Sequence, residues 1–77
     1  MAREEDRRKF VDLASKRVNR TLKDIQLIGN LSNRSNYDYT DQDVAKIFKA
    51  LADEISVCRK RFEQASRKAA DSLFVLD

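Results

Sequence analysis

The sequence predicts an all-α protein: an antiparallel hairpin of two long amphipathic helices, which completes a four-helix bundle by dimerisation. Three observations support this fold class. The 77 residues include one Gly and no Pro, whereas β-sheet proteins need such turn residues at short intervals. Two long stretches repeat apolar residues every three or four positions, as a helix requires. No linker or low-complexity tract interrupts the chain, so we expect a single domain over residues 1–77.

The first helix is predicted over residues 3–28. Asp12 and Lys16, four positions apart, are expected to form one of several ion pairs that support it. We expect Gly29 to end the helix in the left-handed conformation, because glycine adopts it without a Cβ penalty. The spacing of the apolar residues places them on one stripe, formed by Phe10, Val11, Ala14, Val18, Leu22, Ile25 and Ile28.

The connection, residues 29–40, is rich in Asn, Ser and Tyr. Asn and Ser side chains bond readily to neighbouring backbone groups, so we expect an ordered loop of about ten residues that folds on itself. Tyr and Arg are favoured interface anchors, which makes this loop a candidate partner-binding surface. The alternative is a structural loop, with Tyr37 over Leu31. The candidate binding residues are Asn33, Arg34, Ser35, Asn36, Tyr37 and Tyr39.

The second helix is predicted over residues 41–75. Thr40 is a good N-cap, and the acidic residues that follow it favour the positive end of the helix dipole. Tyr39 can pack on Val44 as a hydrophobic staple. Apolar residues then alternate four- and three-residue steps, the pattern of a helix that packs on other helices. This seam consists of Val44, Phe48, Leu51, Ile55, Cys58 and Phe62, extends through Ala65 and Ala69, and reaches Leu73, Phe74 and Leu76.

A two-helix hairpin cannot cover all of this apolar surface. Ile47 and Ala52 flank the seam, and the C-terminal segment is apolar around most of its circumference. Small chains without a disulfide or metal rarely gain enough stability from one core. We therefore expect a homodimer, with a different helical protein as the alternative partner. Cys58 is expected to be a small buried apolar residue rather than a reactive thiol.

The net charge of +3 comes entirely from residues 1–28, which hold eight Lys or Arg and five Asp or Glu. Several aligned cations are typical of proteins that bind nucleic-acid phosphates or an acidic partner. The alternative is an ordinary solvated helix face, since a charge of +3 is modest. At about 100° per residue, the basic face lies opposite the apolar stripe and consists of Lys9, Lys16, Arg20 and Lys23.

The composition argues against an enzyme. The chain has no His and one Cys, so a histidine-activated nucleophile, an imidazole metal site and an internal disulfide are excluded. We expect no metal, cofactor or small-molecule substrate and no membrane association, and the single Cys without an apolar leader favours the cytoplasm. The sequence predicts a small non-enzymatic protein-interaction module, such as an adaptor, assembly subunit or inhibitor. The alternative is a nucleic-acid-binding accessory protein.

Overall fold

Within the described residues, the protein contains two helices and no strand. The computed structural model describes residues 2–74 and, of these, the side chains of residues 3–68. Helix α1 comprises Ala2–Asn30 and helix α2 comprises Asp41–Phe74. The all-α prediction is confirmed. The chain divides into two units, one up to Asp38 and one from Tyr39 onward.

Helix α1 ends differently from the prediction. Gly29 lies inside the helix, and its φ is not positive. The backbone N–H of Leu31 donates to the carbonyl of Ile28, and that of Ser32 donates to the carbonyl of Gly29, both at 3.0 Å. These turn bonds satisfy two of the carbonyls that every helix end leaves without a partner. The left-handed cap predicted at Gly29 is therefore wrong, because the helix closes by a tighter turn with ordinary φ values.

The ten residues from 31 to 40 connect the helices. Asn33 organises the middle of this loop. Its side-chain Oδ1 accepts a hydrogen bond from the Ser35 N–H at 2.9 Å. Its backbone carbonyl accepts from the N–H groups of Asn36 and Tyr37, at 3.2 and 3.0 Å. The predicted local capping by an Asn side chain is confirmed at this residue.

Helix α2 begins where the sequence predicted. The Asp43 N–H donates to the Thr40 hydroxyl at 3.1 Å, and the Thr40 N–H donates to the Asp43 carboxylate at 2.9 Å. This reciprocal pair is a capping box with Asp in the place usually taken by Glu or Gln. Tyr39 and Val44, the predicted staple, are both half-buried. Thr40 is therefore the N-cap.

The far end of α2 lies at the edge of what the structure describes. Leu73 and Phe74 belong to the helix, but their side chains lie outside the described range. The predicted helix end at residue 75 and the seam position Leu76 also lie outside the described residues. The seam side chains that the structure describes lie within residues 44–68.

No side chain among residues 3–68 is buried within the single chain. An amphipathic helix cannot cover its own apolar stripe, because side chains three or four positions apart shield one another only in part. The five half-buried residues are Ala14, Ile28, Tyr39, Val44 and Leu51. The core that the sequence predicts from these stripes is not formed within the described chain alone.

Candidate functional site

The apolar seam of α2 is the most regular exposed surface of the protein. Its described members are Val44, Phe48, Leu51, Ile55, Cys58, Phe62 and Ala65, and we call them the α2 seam. Phe48 and Phe62 are each 60% exposed, and Ile55 is 56% exposed. Such large apolar side chains repeated at heptad spacing lie on one side of the helix and fit the grooves of another helix. The α2 seam is therefore a candidate surface for packing against another helix.

Charged residues border the α2 seam on one side. Glu54 and Arg61, seven residues apart, follow Ile47 along the same edge of the helix. Neither has an oppositely charged residue three or four positions away in the sequence. Sequence reasoning did not identify Arg61 as a candidate residue. The spacing of seven residues, two helical turns along one edge, is the signal that could have found it.

The opposite face of α2 carries charges that pair within the helix. The Lys49 Nζ lies 2.9 Å from the Asp53 Oδ2, and both side chains are largely exposed. Their spacing of four positions on a helix is the one at which such pairs form. Exposed pairs of this kind stabilise a helix by only about 0.3–0.5 kcal/mol. The ion pair therefore adds little to stability, and this face carries polar side chains in contact with solvent.

Cys58 is a free and exposed cysteine. The prediction that its thiol is buried is wrong for the single chain, because neither neighbouring seam residue on α2 can cover it. Ile55 and Phe62, one turn away on either side, are themselves more than half exposed. Burial of the thiol requires a second surface on the α2 seam.

The loop residues singled out by the sequence fall into two groups. Asn33 forms turns, since three backbone N–H groups donate to it. Tyr39 is half-buried beside the start of α2. Arg34, Ser35 and Asn36 are exposed, and Tyr37 is 48% exposed. The turns at Asn33 present these last four residues on the surface, where they can contact a partner.

The basic face of α1 is exposed along its length: Lys9, Lys16, Arg20 and Lys23 are all solvent-accessible. The Lys16 Nζ lies 3.3 Å from the Asp12 Oδ2, as the sequence predicted. The carboxylate offsets part of the positive charge in the middle of the face. The structure therefore presents four cations on one helix, one of which already has an anionic neighbour.

The apolar stripe of α1 is interrupted by polar groups. The Thr21 hydroxyl donates to the carbonyl of Arg17 at 2.9 Å, which satisfies a polar group within the stripe. The guanidinium carbon of Arg7 lies 5.9 Å from the centre of the Phe10 ring, a cation–π geometry. Sequence reasoning missed this contact, although a spacing of three residues on a helix indicates it.

The described residues offer no metal site, since they contain no group of three or more His, Cys, Asp or Glu side chains that could hold an ion. Over the same part of the chain, neither helix has a stretch of sufficient length and hydropathy to cross a bilayer. The surfaces that remain as candidates are the α2 seam, the loop and the basic face. No family model matches the sequence, and searches of curated proteins and solved structures found no significant match.

Proposed function

We propose that this chain is a small non-enzymatic protein-interaction module whose α2 seam is covered by another helix. The observation that carries the proposal is the exposure of the α2 seam, where Phe48, Ile55 and Phe62 are each more than half accessible. Contiguous apolar surface of this kind marks sites of protein–protein interaction. Its heptad spacing is typical of surfaces that pack against other helices.

The proposed partner is a second copy of the same chain. In the proposed assembly, α1 and α2 form an antiparallel hairpin through the loop, and two hairpins form a four-helix bundle. Burying each apolar stripe in a shared core gives a chain of this size the stability that it lacks alone. The single cysteine suits a reducing, cytoplasmic setting, where Cys58 stays a thiol within the seam.

The loop is proposed as the surface through which the module binds a further protein. Arg34 and Tyr37 are exposed on a segment whose turns are held by hydrogen bonds to Asn33. A pre-organised loop loses less conformational entropy on binding than a flexible one. Arg and Tyr add directed hydrogen bonds to large contact areas.

Sedimentation of the full chain at micromolar concentration, followed by affinity capture from cells with and without nuclease, tests the module. We expect a dimer that retains protein after nuclease treatment, and an Arg34→Ala/Tyr37→Ala variant that still dimerises but loses the captured protein. Lys60→Ala, on the opposite face of α2, is the matched control and should retain it. A folded monomer that retains no protein after nuclease treatment contradicts the proposal.

A nucleic-acid accessory role is the second candidate, and the observation that favours it is the exposed basic face of α1. The Asp12 carboxylate beside Lys16 weakens this candidate. Phosphate binding would decline steeply with salt, because bound cations on the nucleic acid are released. Replacing Lys9, Lys16, Arg20, Lys23 and Arg34 by Gln should then abolish binding; unchanged binding would exclude this surface.

A further inference from the structure

We propose that α2 pairs with α2 of a second copy in an antiparallel register that places Ile55 opposite the partner's Cys58. The inference rests on the proposed function and names the occupant and geometry of the α2 seam. It follows from two independent features of residues 48–65: the order of side-chain sizes along the seam and the charges at its edge.

The sizes of the seam residues are complementary in this register. Phe48, the largest residue near one end, lies opposite the partner's Ala65, the smallest near the other. Leu51 lies opposite the partner's Phe62, and Ile55 opposite the partner's Cys58. Each layer therefore joins a larger side chain with a smaller one, which fills the space between helices evenly. By two-fold symmetry, every layer occurs twice.

In a parallel pairing in register, the layers join side chains of equal size rather than a larger one with a smaller one. Each residue then faces its own counterpart, so that both phenylalanines of a layer compete for the same space while the Ala65 layer is left underfilled. Cores lose free energy both from overpacking and from cavities. The order of sizes along the α2 seam thus favours the antiparallel arrangement.

The edge charges select the same register. Residues at this edge of two antiparallel helices face each other across the seam. With Ile55 opposite the partner's Cys58, Glu54 faces the partner's Arg61, and Arg61 faces the partner's Glu54. Both are exposed, and neither has an opposite charge one turn away on its own helix. Two ion pairs form across the dimer without breaking any within a helix.

The parallel register would instead bring Glu54 to the partner's Arg59, on the other edge. Arg59 has Glu63 four positions further along α2, a spacing at which the two can pair within one helix. Arg61 would face the partner's Ser66 and would have no oppositely charged residue across the interface. The distribution of charge therefore supports the antiparallel register independently of side-chain size.

A charge-exchange series measured by sedimentation equilibrium of the full chain tests the register. Glu54→Arg alone and Arg61→Glu alone are each expected to raise the dimer dissociation constant about tenfold, because two pairs per dimer become repulsive. The double variant Glu54→Arg/Arg61→Glu should restore it to within about threefold. Lys60→Glu, with the same charge change as Arg61→Glu on the opposite face, should leave the constant unchanged. No variant alters a seam side chain, so folding is preserved.

The alternative outcomes are distinct. Weakening by Glu54→Arg but not by Arg61→Glu, with restoration by Glu54→Arg/Arg59→Glu, would show the parallel register and overturn the inference while leaving the interaction module intact. Dimerisation that none of the charge changes affects would also overturn the register. A monomer that still captures a protein would overturn self-pairing but not the module, because a different helix would then cover the α2 seam.

Cysteine cross-linking with oxidised glutathione provides a second measurement. In the antiparallel register, the two Cys58 residues are offset by about 4.5 Å along the helix axis in addition to their lateral separation, which disfavours a disulfide. Ile55→Cys places a thiol opposite the partner's Cys58, so this variant should form a covalent dimer readily and the unsubstituted chain should not. Efficient cross-linking of the unsubstituted chain through Cys58 would overturn the inference.

Discussion

The two helices differ in how they combine charge with apolar residues. Residues 1–28 carry the whole net charge of +3, whereas residues 41–77 carry seven charges of each sign. Thr21 interrupts the apolar stripe of α1, and the Arg7 guanidinium lies over the ring of Phe10. The α2 seam contains no charged residue between Val44 and Ala65. The difference gives α2 an uninterrupted apolar seam, whereas polar and charged groups adjoin the apolar stripe of α1.

The two helix ends that border the loop also differ. Side chains cap the start of α2, through the reciprocal bonds of Thr40 and Asp43. Backbone turn bonds satisfy the carbonyls of Ile28 and Gly29 at the end of α1. A helix start is thus specified by particular side chains, whereas a helix end depends on a choice between backbone conformations of similar energy.

The largest expected effect comes from a charge in the middle of the α2 seam. Ile55→Asp should raise the dimer dissociation constant more than about 100-fold, because a carboxylate would be desolvated in an apolar contact. Ser56→Asp, on the opposite side of α2, is the control. Sedimentation equilibrium measures the constant. An unchanged dissociation constant for Ile55→Asp would show that the α2 seam is not the dimer contact.

An aspartate substitution in the α1 stripe tests whether the two helices contribute differently to the dimer. Val18→Asp places a carboxylate at an equivalent position of the α1 stripe, where Val18 is 55% exposed. Its effect on dimer dissociation should be smaller than that of Ile55→Asp, since the direct pairing of the two copies is made by α2. Equal losses from Val18→Asp and Ile55→Asp in the same measurement would contradict a special role for the α2 seam.

Removing the cap tests the start of α2. Thr40→Ala should lower the free energy of unfolding by about 1 kcal/mol, because the Asp43 N–H loses its acceptor. Thr40→Ser keeps the hydroxyl and serves as the control. Urea unfolding followed by far-UV circular dichroism gives the difference. An unchanged stability would mean that the capping box does not hold the helix end.

Substitution of Gly29 tests the end of α1, and its expected effect on the free energy of unfolding is opposite to that of Thr40→Ala. Gly29 has no positive φ, and a Cβ added to it would meet nothing within 4 Å. Gly29→Ala should therefore raise the free energy of unfolding by about 0.4–1 kcal/mol, because alanine loses less conformational entropy in a helix. Had the left-handed cap formed, the same substitution would be destabilising. The urea experiment decides between the two conformations.

The smallest expected effect concerns the solvated face of α2. Asp53→Asn should lower the free energy of unfolding by no more than about 0.5 kcal/mol, since both Asp53 and Lys49 are well exposed and screened by water and salt. The loss should vanish in high salt. A larger loss, measured in the same urea series, would indicate that this face makes contacts beyond the ion pair.

The sequence was sufficient for features set by local chemistry. The helical periods, the N-cap at Thr40, the turn at Asn33 and the pairs Asp12–Lys16 and Lys49–Asp53 each depend on residues within four positions of one another. Interactions at this range follow from residue type and helix geometry. The cation–π contact between Arg7 and Phe10 has the same local origin, although its pattern was not recognised.

The amino-acid sequence by itself determined the helix content, the start of α2 and the composition of each helix face, because these depend on short-range interactions. The three-dimensional structure decided how α1 ends, since Gly29 tolerates both helical and left-handed φ and only the assembled backbone selects one. It also decided that Cys58 and its seam neighbours stay exposed in the single chain. Burial of these side chains requires a second surface. The apolar pattern of the sequence predicts that such a surface is needed but does not identify it.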